Sequence, residues 1–195
     1  MKEEKMPSLT EKIRIFALGG LDEDGKNLFC VEVDQSIYVI EAGIKFPDNK
    51  ESLGIEFIIQ DFTYLVENKN RVAGIFITHG HDDVMGALPC LLKQVPCDVY
   101  TAPLAVKEVQ KMIRQEHITG VRVHGVKRNE KKRIGKRRVV FFPITHAYPG
   151  TFGLAIGTEQ GYIVYSGEFI EDYDDLEDAY RADFTTISEL GNEGV

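Results

Sequence analysis

Hydrophobic and polar positions alternate with a two-residue rhythm early in the chain. In KIRIFAL (12–18) the rhythm puts Ile13, Ile15 and Ala17 on one face. LFCVEVD (28–34) and SIYVIEA (36–42) follow as two more short strands, separated at Asp34–Gln35, which predicts a hairpin rather than a helix. GGLDEDGKN (19–27) reads as a turn, GIKFPDNKESLG (43–54) as a loop, and residues 55–70 mix strand and helix signals. VAGIFIT (72–78) is a continuous apolar run, the mark of a strand buried on both faces. DDVMGALPCLLKQV (82–95) has helical spacing, with Asp82 and Asp83 suited to a helix N-terminus. CDVYTA (97–102) predicts a strand, and residues 103–118 a helix with Pro103 near its first turn. VVFFPITH (139–146), FGLAIGT (152–158) and GYIVYSG (161–167) predict three successive strands. An acidic stretch (169–184) and TTISELGNEGV (185–195) complete the chain, and residues 1–11 read as a flexible arm. Strands, then strand–helix–strand–helix, then strands again imply a layered α/β protein with mixed sheets.

Composition narrows the class. The chain has 195 residues, 43% apolar and 28% charged, which suits one folded domain and excludes a wholly disordered chain. A net charge of −8 gives the surface as a whole no attraction for nucleic acid or anionic membrane. No apolar run approaches the ~20 residues a bilayer requires, and the polar start MKEEKMPSLTEK lacks the apolar core of a secretory signal. Cys30, Cys90 and Cys97 form an odd set without C-x-x-C, so we expect reduced thiols and a cytoplasmic protein.

The sharpest chemistry lies in Thr78-His79-Gly80-His81-Asp82-Asp83, directly between the buried strand and a helix. Two imidazoles at i and i+2 with a carboxylate two residues on converge when the backbone is an irregular loop, and they suit zinc, manganese or iron. His146 and Glu168 close two later strands, so three strands end in potential metal ligands. His117 and His124 sit in polar contexts and read as solvated. Ser166 lacks a G-x-S-x-G setting and carries no nucleophile signal.

HGHDD after FIT resembles the H-x-H-x-D-H motif of the metallo-β-lactamase superfamily. Together with ALGGLDEDGKN, VIEAGIKFPD, LGIEFIIQDFTYL, GIFITHGHDDVMGALPCLLKQ, ITHAYPG and GYIVYSGEF, the chain resembles, along essentially its whole length, the N-terminal part of bacterial ribonuclease J. The resemblance implies a metallo-β-lactamase-like αββα sandwich, present in part over residues 12–195. It also implies that the family's inserted β-CASP domain and C-terminal domain lie outside the chain. It implies a metal-dependent ribonuclease of RNA maturation and decay, with RNA as substrate and self or an active paralogue as oligomeric partner. The family holds up to two ions, Zn2+ or Mn2+. His79, His81 and His146 match the first site, Asp83 matches a second-site ligand, and Glu168 matches the bridging position.

Departures from the family pattern fall on ligand and near-ligand positions. Val84 stands where the final histidine belongs, Glu168 and Glu41 are each a methylene longer than the family's aspartates, and Asp22 and Asp24 replace Gly and Ile. The resemblance is therefore to the weakly active second paralogue, with one ion or none expected and Asp83 and Glu168 carrying what catalysis remains. The alternative is a non-catalytic partner subunit of an active ribonuclease J. A thioesterase or lactonase of the same superfamily is a third reading, against which the density of ribonuclease J motifs weighs. Finally, Lys127, Arg128, Lys131, Lys132, Arg133, Lys136, Arg137 and Arg138 reverse the local charge. They read as an RNA-phosphate contact or as a solvated hairpin tip.

Overall fold

The computed structural model describes residues 11–47, 54–170, 177 and 181–195. The proposed arm (1–10) and most of the acidic stretch lie outside the described residues. Strand β1 (Ile13–Gly19) opens a six-stranded sheet whose order is β1-β2-β3-β4-β5-β6. Its other members are β2 (Leu28–Val33), β3 (Ser36–Ile40), β4 (Val72–Ile77), β5 (Val99–Thr101) and β6 (Val123–Gly125). The first two pairings are antiparallel and the other three parallel. A second sheet, wholly antiparallel, has the order β10-β9-β8-β7. It contains β7 (Lys131–Ile134), β8 (Arg137–Pro143), β9 (Phe152–Gly157) and β10 (Tyr162–Tyr165).

The continuous apolar runs are explained by burial of both strand faces. In β3 and β4, Ile37, Val39, Ile75 and Ile77 face the helices, while Tyr38, Ile40 and Phe76 face the second sheet. In β8, Val139 and Phe141 meet Phe76 and Tyr100 between the sheets, whereas Val140 and Phe142 face the opposite way, toward Leu190. The helical layer on the first sheet comprises α1 (Thr63–Glu67), α2 (Asp82–Met85), α3 (Leu88–Gln94) and α4 (Val106–Gln115). α5 (Phe184–Glu193) lies against the outer face of the second sheet. The layers are thus helix, sheet, sheet, helix, the sandwich expected.

Several local expectations change. The helix expected over 82–95 is broken into α2 and α3. The amide of Ala87 donates to Ala42 O instead of continuing the helical ladder, and Pro89 has no amide to extend it. α4 begins after Pro103, not around it. Residues 185–195, left without an element by the sequence reading, are mostly α5. Its N-cap is Asp183, whose carboxylate accepts from the amides of Thr185 and Thr186 at 3.0 and 3.2 Å. Strands β8 and β10 stop at Pro143 and Tyr165, so His146 and Glu168 occupy the loops beyond. Glu11, assigned to the arm, is anchored by Arg137 at 2.5 Å.

Candidate metal centre

β4 ends at Ile77, and α2 starts at Asp82, so Thr78–His81 form the irregular connection. Glu41, just past β3, reaches across to it from a left-handed backbone (φ 65°). Its carboxylate accepts from the Thr78 amide at 3.1 Å and the Thr78 hydroxyl at 2.6 Å. A hydroxyl has one proton. While Glu41 is ionised that proton goes to Glu41, and Thr78 Oγ1 then accepts from His79 Nδ1 at 3.0 Å. His79 Nε2 therefore keeps its lone pair, 3.1 Å from His81 Nδ1. This carboxylate–hydroxyl–imidazole chain is the kind of outer contact that fixes a metal-ligating tautomer.

His146 completes the group. Its ring centroid lies 4.4 Å from that of His79 and 5.3 Å from that of His81. One nitrogen from each of the three rings falls within a 4.8 Å circle. Tetrahedral zinc with bonds of ~2.0–2.1 Å sets neighbouring donors about 3.4 Å apart, so the His79–His81 pair already has that spacing. Burial, then the His146 and His81 rings, depress His79 to about 3. His146 is lowered by burial and by His81. Both shifts favour the neutral imidazole, the form a divalent metal requires of its donors. His146 Nδ1 accepts from the Tyr148 amide at 3.2 Å, which puts the neutral ring's proton on Nε2, the nitrogen facing Glu168, so an ion taken up there would have to displace that proton.

The carboxylates line one side. Glu168 Oε2 lies 3.9 Å from His79 Nε2 and 3.8 Å from His146 Nε2. Asn27 Nδ2 spans Asp83 Oδ2 and Glu168 Oε1, each at 3.3 Å. Burial and the neighbouring Asp83 push Glu168 above the usual carboxylate range. The structure thus gathers His79, His81, His146 and Glu168, with Asp83 behind Glu168. Val84 points the other way, fully buried in the helix-facing core with Met85 and Leu88, and offers no donor. Thr78 belonged to the motif but was given no role there, and Asn27 and Tyr148 were not singled out by sequence. Their roles arise from contacts between distant segments.

Glu41 gives the site a pH signature. Burial raises it from 4.5 to about 8, against the Thr78 hydrogen bonds. A raised carboxylate adds stability that is full below its unfolded value and disappears as pH rises through its folded value. His79, lowered from 6.5 to about 3, adds stability that is full above pH 6.5 and disappears as pH falls through 3. Between pH 4.5 and 6.5 the Glu41 and His79 slopes oppose each other. From pH 6.5 to 8, above the His79 range, Glu41 contributes a falling limb of about 2 kcal/mol at ~1.4 kcal/mol per unit. In metal-free protein, Glu41→Gln is expected to flatten that limb in urea unfolding; an unchanged slope would contradict the assignment.

The basic residues do not form one patch. Lys127 and Arg128 border a 290 Å³ cavity with Pro103, Phe142 and Gly150 near the His146 loop. Lys131, Lys132, Arg133, Lys136, Arg137 and Arg138 lie along the β7–β8 hairpin, whose turn is at the far end of β8 from His146. Arg137 is committed to Glu11 and to Asp34 at 2.7 Å, and Lys132 sits 5.3 Å over the Tyr100 ring. His124 also departs from expectation. It meets Asp98 at 3.0 Å and stacks on Tyr100 at 4.8 Å, because β6 pairs alongside β5. His117 is exposed, as expected.

Residues 47–188 match the family model described as Beta-lactamase superfamily domain. The chain is 38% identical over 185 residues to Ribonuclease J 2 of Streptococcus pyogenes, covering 94% of this chain and 33% of that protein. Ribonuclease J 2 of Staphylococcus epidermidis is 39% identical over 184 residues with the same coverage. The chain therefore spans about a third of the length of these curated relatives. Among solved structures, the metallo-beta-lactamase fold protein YhfI from Bacillus subtilis aligns with a TM-score of 0.56 at 11% identity, over 80% of this chain and 62% of that one. A protein of unknown function from Enterococcus faecalis aligns with a TM-score of 0.57 at 15% identity, over 82% and 44%. No helix among the described residues is long and apolar enough to cross a membrane.

Proposed function

The chain belongs to the β-lactamase superfamily, and from that membership we propose that it is the metal-holding part of a ribonuclease J-like hydrolase of RNA with a depleted second metal site. The observation that carries this reading is the convergence of His79, His81 and His146 within 4.8 Å, with Glu168 beside them. The 38–39% identity to Ribonuclease J 2 proteins supports RNA as the substrate class. His79, His81 and His146 would hold one divalent ion, zinc or manganese, which when bound supplies Lewis acidity. Glu168 takes and returns a proton at Oε2, at the edge of the imidazole cluster. Asn27, which also donates to Asp83, holds its other oxygen in place. Lys127 and Arg128, at the same end of the molecule as His146, are better placed than the hairpin turn to meet RNA phosphates.

Two ions ~3.5–4 Å apart clamp both the attacking and the leaving oxygen in phosphodiester cleavage, and a single ion forfeits one of these contacts. With Val84 turned into the core, turnover is expected to be weak. The test is degradation of a 5′-monophosphorylated RNA by the natural protein that carries this chain, with zinc or manganese supplied. Cleavage above that of the His79→Ala/His81→Ala double variant is expected, and equal rates would overturn the enzymatic reading. Val84 also favours a second reading, a non-catalytic partner subunit of an active ribonuclease J. That reading predicts that the double variant still co-purifies with, and supports, the active paralogue; failure of the wild type to retain it would reject this role.

A further inference from the structure

We propose that Tyr148 is a positioning residue for the imidazole cluster, seated over it through the gap left by Gly80. The inference rests on the metal-centre reading for its consequence, but the packing it invokes exists without metal. The Tyr148 ring meets His81 edge-on, with centroids 5.9 Å apart and an interplanar angle of 86°, and lies 6.2 Å from the His79 ring. Its amide donates to His146 Nδ1 at 3.2 Å. One residue thus touches all three imidazoles, two through its ring and the third through its backbone. Its own backbone is tied down in turn, because the Tyr148 carbonyl accepts from the hydroxyl of buried Thr151 at 2.6 Å.

Gly80, between the two histidines of the H-x-H, is the other half of this device. A Cβ there would stand 2.7 Å from Tyr148 Cε2, 2.7 Å from its hydroxyl oxygen and 2.8 Å from Cζ. Real Cβ atoms do not make contacts this short. Gly80 does not have the left-handed φ that would demand glycine for backbone reasons, unlike Gly20 or Gly167. The phenol accounts for the missing side chain: with any larger residue at 80, the ring must swing off His81. His81 is otherwise exposed, and its ring is packed by those of His79, His146 and Tyr148. An imidazole free to rotate pays ordering entropy on taking up an ion, and a packed one does not.

The test is a double-variant cycle with Gly80→Ala, Tyr148→Ala and both together, plus Tyr148→Phe. In metal-free protein, Gly80→Ala is expected to lower the thermal midpoint. Added to Tyr148→Ala it should cost almost nothing, because the clash is gone; additive losses would overturn the pairing. Imidazole 1H–15N spectra of the metal-free chain should show the His81 resonances moved by Tyr148→Ala and restored by Tyr148→Phe. Unmoved resonances would overturn the positioning role whether or not the wild type takes up metal. With zinc as the probe, Tyr148→Ala should weaken binding about tenfold and Tyr148→Phe should recover it. The cobalt-substituted spectrum should change with the alanine variant and return with phenylalanine. If wild type binds zinc and Tyr148→Ala binds it equally well with the same cobalt spectrum, the role is refuted. If wild type binds no zinc, the metal-centre reading fails, and the spectra of the metal-free chain still decide the packing.

Discussion

Alanine at Gly43 is expected to cost more than about 3 kcal/mol and to leave the chain unable to hold a metal ion. The added Cβ would sit 1.5 Å from Asp83 O and 2.1 Å from Asp83 C, far inside any non-bonded contact. Both partners are backbone, so no side-chain rotation relieves the overlap. Nor can the segments slide apart cheaply. Ala42 N donates to Val84 O at 2.7 Å, Ile44 N to Asp82 O at 2.9 Å, and Ala87 N to Ala42 O at 2.7 Å. Gly43 N is itself bonded to Asn27 O at 2.9 Å. Residues 42–44 and 82–84 are laced together, and Asn27, which spans Asp83 and Glu168, is laced to both. Pushing them apart moves His81, Asp83 and Asn27 at once. Urea unfolding and zinc titration of Gly43→Ala check the expectation; a loss under 0.5 kcal/mol with unchanged zinc affinity would contradict it.

His79→Ala is expected to weaken zinc binding at least 100-fold, since it removes one of the three proposed ligands, the one tied through Thr78 to Glu41. The side chain is fully buried and its loss also leaves Thr78 Oγ1 without its donor, so folding must be checked by circular dichroism. His81→Ala serves as the companion variant, because His81 is exposed and its removal empties no core space. Thr78→Val, which keeps shape but breaks the Glu41–Thr78–His79 chain, is expected to cost about tenfold. Isothermal titration with zinc distinguishes these steps. Equal affinities for wild type and both histidine variants would mean that any zinc bound lies elsewhere.

Much of the layered fold was legible because its signals are local. The runs in 36–40, 72–77 and 137–143 are apolar on both faces, and a strand buried between helices and a second sheet needs that pattern. The break at Gly86–Ala87 was hidden because it depends on Ala42, a residue distant in sequence, capturing the Ala87 amide. α5 had a readable cap in Asp183, but its apolar face is short and its surroundings acidic, which masked the period. At the site, H-x-H-x-D announced itself, and His146 and Glu168 could be placed at one end of the second sheet. Asn27, Gly43 and Tyr148 could not be read, since each matters only through a neighbour that the fold brings to it. Arg137 shows the converse: in sequence it is one of eight cations, and in the fold it is an anchor for Glu11 and Asp34.

One metal position built from three imidazoles, with a second position lost to Val84, is the central proposal. Elemental mass spectrometry of the chain, loaded with zinc or manganese and dialysed, measures this directly. The predicted result is about one ion per chain, absent from His79→Ala. Two ions per chain, or none, would contradict it.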